Sequence, residues 1–464
     1  MSRTHADIVA ELQSRWPEHK VGRSQARVRA LCDLLGSPQD ACPVILVTGT
    51  NGKGSTAAMI DSLLSALGLR VGRFSSPHLV DLTERITIDG RPIADEVFDD
   101  LVEQVSPLVR IVDEQAIDGI PMTFFEVMTA LAYVAFADAP VNVAVVEVGM
   151  GGEWDATNIT DAVVAVVAPI DFDHTALLGS TLTEIATEKA GIIKAGSRAV
   201  LAAQAPEAAR VLLARCAEVG AEPRREGIEF GLIDRVPAIG GQVLRLETAE
   251  GPLGDLVLPL FGAHMARNAA LAVAAVEAFL GRPLPADVIA EGLESVQAPA
   301  RLEVVRRSPT VVLDTCHNPH GARATIEGIT EAFDFAPLIG VVAMMADKDV
   351  SGVLQIFAEA MTTVVTTTIA DTKRALSASE LGELAGEAFG ADRVREAPTM
   401  AAAIDEAVRL ADEAGAGAGV LIAGSVYAAG EARALLVHAD ASTAGGSATS
   451  ERVVWIEEGE HDGT

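Results

Sequence analysis

Val44-Ile45-Leu46-Val47-Thr48-Gly49-Thr50-Asn51-Gly52-Lys53-Gly54-Ser55-Thr56 is the stretch around which the rest of the chain is organised. Residues 44–47 are apolar and mostly β-branched, which predicts a strand buried on both faces of a parallel sheet. A glycine-rich turn follows, and apolar residues then recur at the spacing of one helix face: Ala57, Ile60, Leu63, Leu64 and Leu67. A strand, a glycine turn containing Lys-Gly-Ser and a helix are together typical of a loop that binds phosphate.

The loop offers three kinds of group to a nucleotide. Its glycines allow backbone N–H groups to point at phosphate oxygens, Lys53 can reach the β- and γ-phosphates, and Ser55 stands where the hydroxyl next to Mg²⁺ is usually found. The spacing is unusual, because only two residues separate Gly49 from Gly52 where the common form has four. A plain glycine turn is the alternative, but the lysine, the serine and both flanking elements favour nucleotide binding.

Length and composition limit the classes of protein to which the chain can belong. A chain of 464 residues, 49% of them apolar, is long enough for two domains. A formal charge of −30 and only 4% aromatic residues oppose binding to nucleic acid or to an anionic membrane. Four widely spaced cysteines argue against a zinc site or a disulfide framework. With no apolar run of membrane-spanning length and no signal peptide, we expect a soluble cytoplasmic protein.

Polar side chains follow three further predicted strands. Glu147 ends an apolar run at 143–148, Ser76 follows 71–74, and His174 comes after 163–170. Ligands bind at the carboxyl ends of strands in open α/β sheets, so these side chains should converge with Lys53 on one triphosphate. A buried carboxylate after a strand suits the Mg²⁺ partner of a phosphate loop. The alternatives are a buried salt bridge for Glu147, an ordinary loop at Ser76 and a structural histidine.

Two other segments carry polar residues whose simplest role is structural. Thr123 and Glu126 have the spacing of a capping box at the start of an apolar helix. Lys189 lies on a helix beside Glu188, where a surface lysine is the simplest interpretation, and Asn268 fits an ordinary helix surface.

The pattern of elements predicts an α/β fold in two domains. Residues 1–297 form a parallel-sheet ATP-binding domain with a small β insertion at about 221–260, where polar and apolar residues alternate. A linker leads into a smaller Rossmann-like α/β domain at 298–438. Residues 439–464 are rich in Ser, Gly, Ala and acidic residues and are expected to be a disordered tail.

Several motifs, in order, resemble those of the folylpolyglutamate synthase and dihydrofolate synthase family of Mur-type ligases, over about residues 20–435. They are Gly49-Thr50-Asn51-Gly52-Lys53-Gly54-Ser55, Ser75-Ser76-Pro77-His78-Leu79, Thr123-Phe124-Phe125-Glu126, Glu147-Val148-Gly149-Met150-Gly151-Gly152, Asp155-Ala156-Thr157-Asn158, Asp173-His174-Thr175, Glu188-Lys189-Ala190-Gly191-Ile192, Asp314-Thr315-Cys316-His317-Asn318-Pro319-His320 and Gly424-Ser425. Trp154 and Cys316 depart from the usual pattern, and neither stands at an expected metal position.

The resemblance implies an ATP-dependent ligase that joins L-glutamate to dihydropteroate, to reduced folates, or to both, through an acyl phosphate. It implies Mg²⁺ at Ser76, Glu147 and His174, with Ser55 nearby, and catalytic roles for Lys53, Glu147, His174 and Lys189. The implied ATP-binding residues are Thr50, Asn51, Gly52, Lys53, Gly54, Ser55, Asn268, Arg301 and Asp314. The residues expected to face the pterin substrate are Thr123, Phe124, Phe125, Glu126, Asp155, Ala156 and Thr157.

Three further expectations concern the glutamate site, a modified lysine and the oligomeric state. His317 and Ser425 follow strands at the presumed cleft and are expected to bind glutamate. The resemblance implies that Lys189 carries a carbamate, and repulsion from nearby cations would favour the neutral amine that this needs. We expect a monomer whose partners are only these small molecules. A P-loop kinase, a Mur-type ligase acting on a UDP-linked cell-wall peptide and a non-catalytic nucleotide-binding module are the alternatives.

Overall fold

The computed structural model describes residues 3–16, 22–370 and 372–443. In the N-terminal part, eight strands form one sheet in the order β4-β3-β2-β5-β1-β6-β7-β8. These strands are β1 (Val44–Thr48), β2 (Val71–Phe74), β3 (Ile86–Ile88), β4 (Arg91–Pro92), β5 (Val143–Glu147), β6 (Val164–Val167), β7 (Arg198–Leu201) and β8 (Glu222–Arg225). In this sheet β3 pairs antiparallel with both β2 and β4, and the other strand pairs are parallel. Strand β1 lies between β5 and β6, so the loop after β1 is flanked by the ends of both.

Helices cover both faces of this sheet, which is why β1 is buried throughout and apolar up to Thr48. They are α1 (His5–Gln13), α2 (Ala26–Leu34), α3 (Lys53–Ala66), α4 (Asp95–Glu114), α5 (Phe124–Asp138), α6 (Thr175–Leu178), α7 (Leu182–Ala190), α8 (Pro206–Val219), α9 (Ala263–Leu280) and α10 (Ala286–Glu294). Val44 and Leu46 pack into the core on the α5 side, while Ile45 and Val47 pack into the core of α3 and α9. The predicted doubly covered parallel sheet is confirmed.

A separate antiparallel sheet of three strands precedes α9. Its strands are β9 (Gly231–Ala238), β10 (Gly241–Thr248) and β11 (Gly251–Leu258), in the order β11-β10-β9. This sheet lies within the segment predicted as a β insertion, 221–260. The predicted start needs correction, because β8 at 222–225 pairs parallel to β7 and belongs to the large sheet.

A six-stranded sheet in the order β12-β13-β17-β14-β15-β16 forms the C-terminal part. Its strands are β12 (Arg301–Arg307), β13 (Thr310–Asp314), β14 (Leu338–Val342), β15 (Thr363–Thr366), β16 (Val394–Glu396) and β17 (Gly419–Ala423). Its helices are α11 (Pro319–Ala332), α12 (Val350–Ala360), α13 (Ala378–Phe389), α14 (Met400–Ala414) and α15 (Val426–Thr443). All pairs are parallel except β12 with β13. The predicted second α/β domain is therefore present.

The structure describes the two ends of the chain in part. The first helices are α1 and α2, and residues 17–21 between them lie outside the described residues. The disordered tail is predicted from 439, but α15 continues to Thr443, and the remaining residues of that prediction, 444–464, lie outside the described residues. None of the helices in the described part of the chain is long and apolar enough to cross a bilayer.

Close contacts join the N-terminal part, including its three-stranded sheet, to the C-terminal part. Arg235 on β9 forms a two-pronged ion pair with Glu331 on α11, with both N–O distances 2.7 Å. The loop after β2 reaches α15 at Gly430, where a Cβ would lie 1.9 Å from the carbonyl oxygen of Leu79. Only glycine permits this approach, since the obstacle is backbone rather than a movable side chain.

Gly430→Ala is expected to destabilise the protein by about 1–3 kcal/mol, because the methyl group forces α15 away from the loop after β2. Gly386→Ala on α13 is the matched control, since a Cβ there meets nothing within 4 Å. That change should be neutral or raise stability by up to about 1 kcal/mol through helix propensity. Urea unfolding of both variants checks this, and equal stabilities would contradict the close approach.

Candidate active site

The phosphate loop is held in place by glycines at two close approaches. Gly49 has φ +151°, and a Cβ there would lie 2.7 Å from the Cβ of Ala168, just after β6. Gly52 has φ +82° and caps the N-terminus of α3, with Asn268 so close that a Cβ would lie 2.9 Å from its side-chain oxygen. The loop therefore folds directly over the sheet edge and presents the free N–H groups of α3 to the cleft.

Two lysines share one carbonyl of this loop. Lys53 Nζ donates to the carbonyl oxygens of Gly49 (3.2 Å) and Thr50 (3.3 Å), and Lys189 Nζ donates to that of Gly49 at 2.8 Å. Lys189 is 3% exposed, so it does not have the surface position that its simplest interpretation required. Burial lowers its pKa to about 7, with repulsion from Lys53 as the smaller cause. The main cause of the lowered pKa is therefore burial, whereas the sequence prediction named repulsion between like charges.

Glu147 places a buried carboxylate beside the phosphate loop. It ends β5, is 5% exposed and accepts a hydrogen bond from the Ser76 N–H at 3.3 Å. A Cβ at Gly54 would lie 3.4 Å from Glu147 Oε2 and 3.9 Å from Arg301 Nη2, so these groups meet around a glycine. Burial raises the pKa of Glu147, and Lys53, the Ser76 N–H and Arg301 offset part of the rise.

Asp173 ties this edge to the C-terminal sheet. Its carboxylate accepts from Lys348 Nζ at 2.7 Å and from Asn318 at 3.3 Å, and His317 Nε2 lies 3.5 Å away. Burial raises the pKa of Asp173, but His317, His174 and Lys348 outweigh it and hold the pKa well below its usual range. Beside it, burial lowers the pKa of His174 to about 4, so its imidazole is neutral at pH 7.

A second contact joins the phosphate loop to the C-terminal part. Asn318 donates to Asn51 Oδ1 at 3.1 Å, and Asn51 Nδ2 lies 2.9 Å from His320 Nδ1. Asn318 also caps α11, because its side chain accepts from Gly321 N at 2.8 Å. One asparagine therefore fixes both the start of a helix and its approach to the loop.

The predicted capping box at the start of α5 is present. Thr123 N donates to Glu126 Oε2 at 2.7 Å, and Glu126 N donates to Thr123 Oγ1 at 3.2 Å. Glu126 also pairs with the buried Arg27, whose Nη2 lies 2.9 Å from Oε1. Phe125 packs over Gly149, where a Cβ would lie 2.5 Å from its ring. The carboxylate of Glu126 is thus engaged in the fold, although the residue also lines the cleft.

The residues above surround one cavity of about 330 Å³ between the two parts of the chain. Most predicted site residues line it: Thr50, Asn51, Gly52, Lys53, Gly54, Ser76, Thr123, Phe125, Glu126, Glu147, Asp155, Ala156, His174, Lys189, Arg301, His317 and Ser425. Five further residues that are not among the predicted site residues also line it: Asp173, Lys348, Arg374, Trp154 and Tyr427. Asp173 and Lys348 each follow a strand, a signal that could have identified them.

Five predicted site residues do not line the cavity: Ser55, Asn268, Asp314, Phe124 and Thr157. Asn268 donates to Ser55 Oγ at 3.0 Å beneath the loop. Asp314 accepts from Leu302 N, Cys316 N and Thr325 Oγ1 at 2.8–3.1 Å, so its carboxylate holds the loop after β13.

The guanidinium of Arg85 lies over the ring of Phe124, with its carbon Cζ 5.1 Å from the centroid of that ring. Thr157 donates to Asp155 from both its N–H and its hydroxyl. Burial raises the pKa of Asp155, and these bonds together with the one from Met150 N lower it in part. The five residues therefore support the cavity wall from behind.

Comparisons with known proteins match both parts of the chain. Residues 300–426 match the family described as Mur ligase, glutamate ligase domain. The dihydrofolate synthase/folylpolyglutamate synthase of Mycobacterium tuberculosis is 45% identical, over 91% of this chain and 92% of that protein. The solved folylpolyglutamate synthase of the same organism in complex with ADP superposes with a TM-score of 0.90, covering 93% and 98% of the two chains. A solved FPGS–AMPPCP–folate complex is 32% identical, with a TM-score of 0.82 over 94% and 100%.

The ion pair between Asp173 and Lys348 is expected to contribute a coupling free energy of about 1–3 kcal/mol, because the two side chains are only 10% and 12% exposed. A double-mutant cycle with Asp173→Asn and Lys348→Met, measured by urea unfolding, gives this value. The matched control is Asp347–Arg374, a pair at 2.9 Å that is 49% and 32% exposed, with a coupling below about 1 kcal/mol. Equal coupling in the two cycles would contradict the difference in burial.

Proposed function

The chain belongs to the folylpolyglutamate synthase and dihydrofolate synthase family, and on this basis we propose that it is an ATP-dependent amide ligase joining L-glutamate to dihydropteroate and to reduced folates. The relatives carry these names over nearly the full length of both chains. The C-terminal match to a glutamate ligase domain supports a ligase over a P-loop kinase.

The meeting of Lys53, Glu147 and Arg301 around Gly54 is the observation that carries the proposal. One cation comes from the phosphate loop and the other from β12 across the cleft. Charge spread over a transferring phosphoryl group requires cations on more than one side. Both parts of the chain are then needed, as expected for a reaction whose acyl phosphate must be kept from water.

The residues near the loop fit Mg²⁺. Glu147 is a buried carboxylate beside the loop, Ser76 adds a hydroxyl on the cavity wall, and His174 has an imidazole that is neutral at pH 7. We infer that these three hold the ion, which when bound neutralises charge on the phosphate oxygens. Ser55, also expected near the ion, has its hydroxyl bonded to Gly52 O (3.2 Å) and Asn268.

The chain's own groups then position the reactants. The N–H groups at the start of α3 hold the β- and γ-phosphates, and Lys53 exchanges its bonds to the Gly49 and Thr50 carbonyls for bonds to phosphate. The γ-phosphoryl group passes to the substrate carboxylate and ADP leaves. The glutamate amine then attacks the acyl carbon, a C–N bond forms, and the bond between that carbon and the phosphate oxygen breaks. Phosphate leaves and takes up the proton that the nitrogen loses.

One wall of the cavity fits the pteroate or folate substrate. It is formed by the start of α5 and by Asp155 and Ala156. It combines the ring of Phe125 with the polar groups of Thr123 and Asp155, as a flat heterocycle with polar edges requires. A relative has been solved with folate and an ATP analogue together, which supports this assignment.

One assay tests the proposed function directly. Phosphate release is measured with ATP and Mg²⁺ in the presence of dihydropteroate or tetrahydrofolate, with and without L-glutamate, and the product is identified by mass. We expect release that depends on glutamate and one added glutamyl unit. Phosphate release without glutamate would indicate an ATPase, and ADP with a phosphorylated product but no free phosphate would indicate a kinase. Activity only with a UDP-linked peptide would indicate the other branch of Mur-type ligases.

Lys53→Ala and Glu147→Ala are each expected to lower kcat at least about 10²-fold, because each removes a charge that acts on the phosphoryl group. Circular dichroism should show that both variants remain folded. Arg409→Ala is a suitable control, since Arg409 lies on the outer helix α14 and pairs only with Glu406 and Glu413 on that helix among the described residues. Near wild-type turnover of either variant at saturating ATP and Mg²⁺ would show that its assignment is wrong.

We infer that the incoming glutamate binds to the C-terminal wall. His317 follows β13 and Ser425 follows β17, and both line the cavity. His317→Ala and Ser425→Ala should each raise the KM for glutamate more than the KM for ATP, because they remove contacts to one substrate only. A rise confined to ATP in steady-state kinetics would place glutamate elsewhere.

We also propose that Lys189 carries a carbamate in the active enzyme. Its amine is buried, its pKa is about 7, and it lies on the phosphate loop rather than on the helix surface. A neutral amine adds CO₂ with formation of an N–C bond and loss of one proton. The product is a carboxylate beside Lys53, able to support a cation.

Lys189→Ala is expected to lose most activity and to recover part of it with added acetate or formate, which replace the missing carboxylate. Mass spectrometry under native conditions should show an added CO₂ on Lys189. Near-normal activity would make the lysine dispensable. Loss without rescue, together with an unmodified lysine mass, would exclude the carbamate.

We infer that a single chain carries out the reaction in the cytoplasm, because both walls of the cavity come from one chain and the described cysteines are free. Light scattering of the purified protein tests the single chain, and a stable dimer would contradict it. Fractionation of cells tests the location, and recovery outside the cytoplasmic fraction would contradict it.

A further inference from the structure

Arg374 is a cation of the cavity wall that none of the roles above uses. In the described part of the chain, five lysines and arginines line the cavity: Lys53, Lys189, Arg301, Lys348 and Arg374. The first four are already engaged, because two bond to the phosphate loop, one lies beside Glu147 and one pairs with Asp173. Arg374 is therefore the cavity cation that is left for a further anion.

The backbone of Arg374 is held by the loop that follows β14. Ala346 N donates to the carbonyl oxygen of Arg374 at 2.8 Å, and Leu376 N donates to that of Met344 at 3.0 Å. These bonds flank a short antiparallel bridge between the loop after β14 and a segment after β15. Because both segments follow the carboxyl ends of parallel strands, Arg374 lies at the edge of the sheet where ligands bind.

The guanidinium of Arg374 is only partly used by the fold. Its Nη2 donates to both carboxylate oxygens of Asp347 at 2.9 Å, whereas its Nε and Nη1 have no hydrogen-bond partner among the described residues. The Arg374 side chain is 32% exposed and that of Asp347 is 49% exposed, so water screens the pair. A carboxylate ligand can replace Asp347 at little cost and engage the unused N–H groups in the two-pronged arrangement that arginine favours.

The substrates of the proposed function differ in one anionic group. Dihydropteroate ends in a single carboxylate, which is the one that ATP activates. A reduced folate ends in a glutamyl unit with two carboxylates, of which one is activated and the other keeps its charge. An enzyme that accepts both needs a cation that is used only with a folate. Asp347 keeps Arg374 paired when dihydropteroate is bound, so no charge is left without a partner.

We propose that Arg374 binds the unreacted carboxylate of the glutamyl unit that ends a folate substrate, and that Asp347 pairs with it when that unit is absent. The proposal rests on the proposed function and adds the residue that distinguishes the two kinds of acceptor. Ser425, assigned above to the incoming glutamate, is only 3% exposed. A tail that grows at each turnover must leave the cavity at an exposed rim, which favours the acceptor as the ligand of Arg374.

Equilibrium binding of dihydropteroate and of dihydrofolate, each with AMPPCP present, tests this site, because the two ligands differ only by the glutamyl unit. Arg374→Gln should weaken dihydrofolate about tenfold or more, as for a lost charge-assisted hydrogen bond, and dihydropteroate less than about twofold. Arg374→Lys keeps the charge but not the planar fork and should weaken dihydrofolate about threefold. Arg323→Gln is the matched control, since Arg323 pairs with the exposed Glu359 and does not line the cavity.

Asp347→Asn separates a binding role of Arg374 from a structural one. If the ion pair only braced the rim, loss of either partner would weaken the same ligand. If Arg374 serves the ligand, Asp347→Asn removes a competing carboxylate and should tighten dihydrofolate about twofold or more, opposite in sign to Arg374→Gln. In kinetics with dihydropteroate as acceptor, Arg374→Gln should change the KM for L-glutamate less than about twofold. Circular dichroism shows whether each variant is folded.

Unchanged dihydrofolate affinity in Arg374→Gln, equal weakening of both ligands, or no gain of affinity in Asp347→Asn would each overturn this site while ligation by the wild type stands. A raised KM for L-glutamate with dihydropteroate would assign Arg374 to the incoming amino acid and overturn it as well. A wild-type protein that releases no phosphate with either kind of acceptor would instead overturn the proposed function.

Discussion

A buried carboxylate at the end of β5 imposes the main physical constraint on this structure. Glu147 is 5% exposed, so its charge is stable only if cations and N–H groups surround it. The chain supplies Lys53 from the phosphate loop, the N–H of Ser76 from the loop after β2, and Arg301 from β12. Three separate segments must therefore meet at one strand end, and the two parts of the chain are arranged around that point.

The same constraint explains why the contacts between the two parts are polar as well as apolar. Asp173 with Lys348, and Asn51 with Asn318, pair one group from each side of the cleft. Such pairs fix the geometry of the junction, because a hydrogen bond or ion pair forms only at a defined distance and direction. A purely apolar junction would be stable but would leave the phosphate loop without the cation that β12 provides.

The sequence was sufficient to predict the parallel sheet, the second α/β domain and most of the cavity wall, because apolar strands and the residues that follow them are local signals. It was insufficient where the partner is distant. The pairing of Glu126 with Arg27 joins residues 99 positions apart, so the capping box alone was visible. Lys189 was ambiguous for the same reason, since only the fold places it on the Gly49 carbonyl. Strand β8 was assigned to the insertion because its charged residues hide a parallel edge strand.

The electrostatics of the cavity also reconcile a chain of charge −30 with a polyanionic substrate. At physiological ionic strength the Debye length is about 8 Å, so most exposed carboxylates are screened from the cleft. Within it, a unit charge about 4 Å away contributes about 4 kcal/mol at an effective dielectric of 20. Lys53, Arg301 and Lys348 line the cavity, and under the proposed function they act at this range on phosphate. Local placement therefore decides binding, while the net charge determines only how slowly an anion approaches from solution.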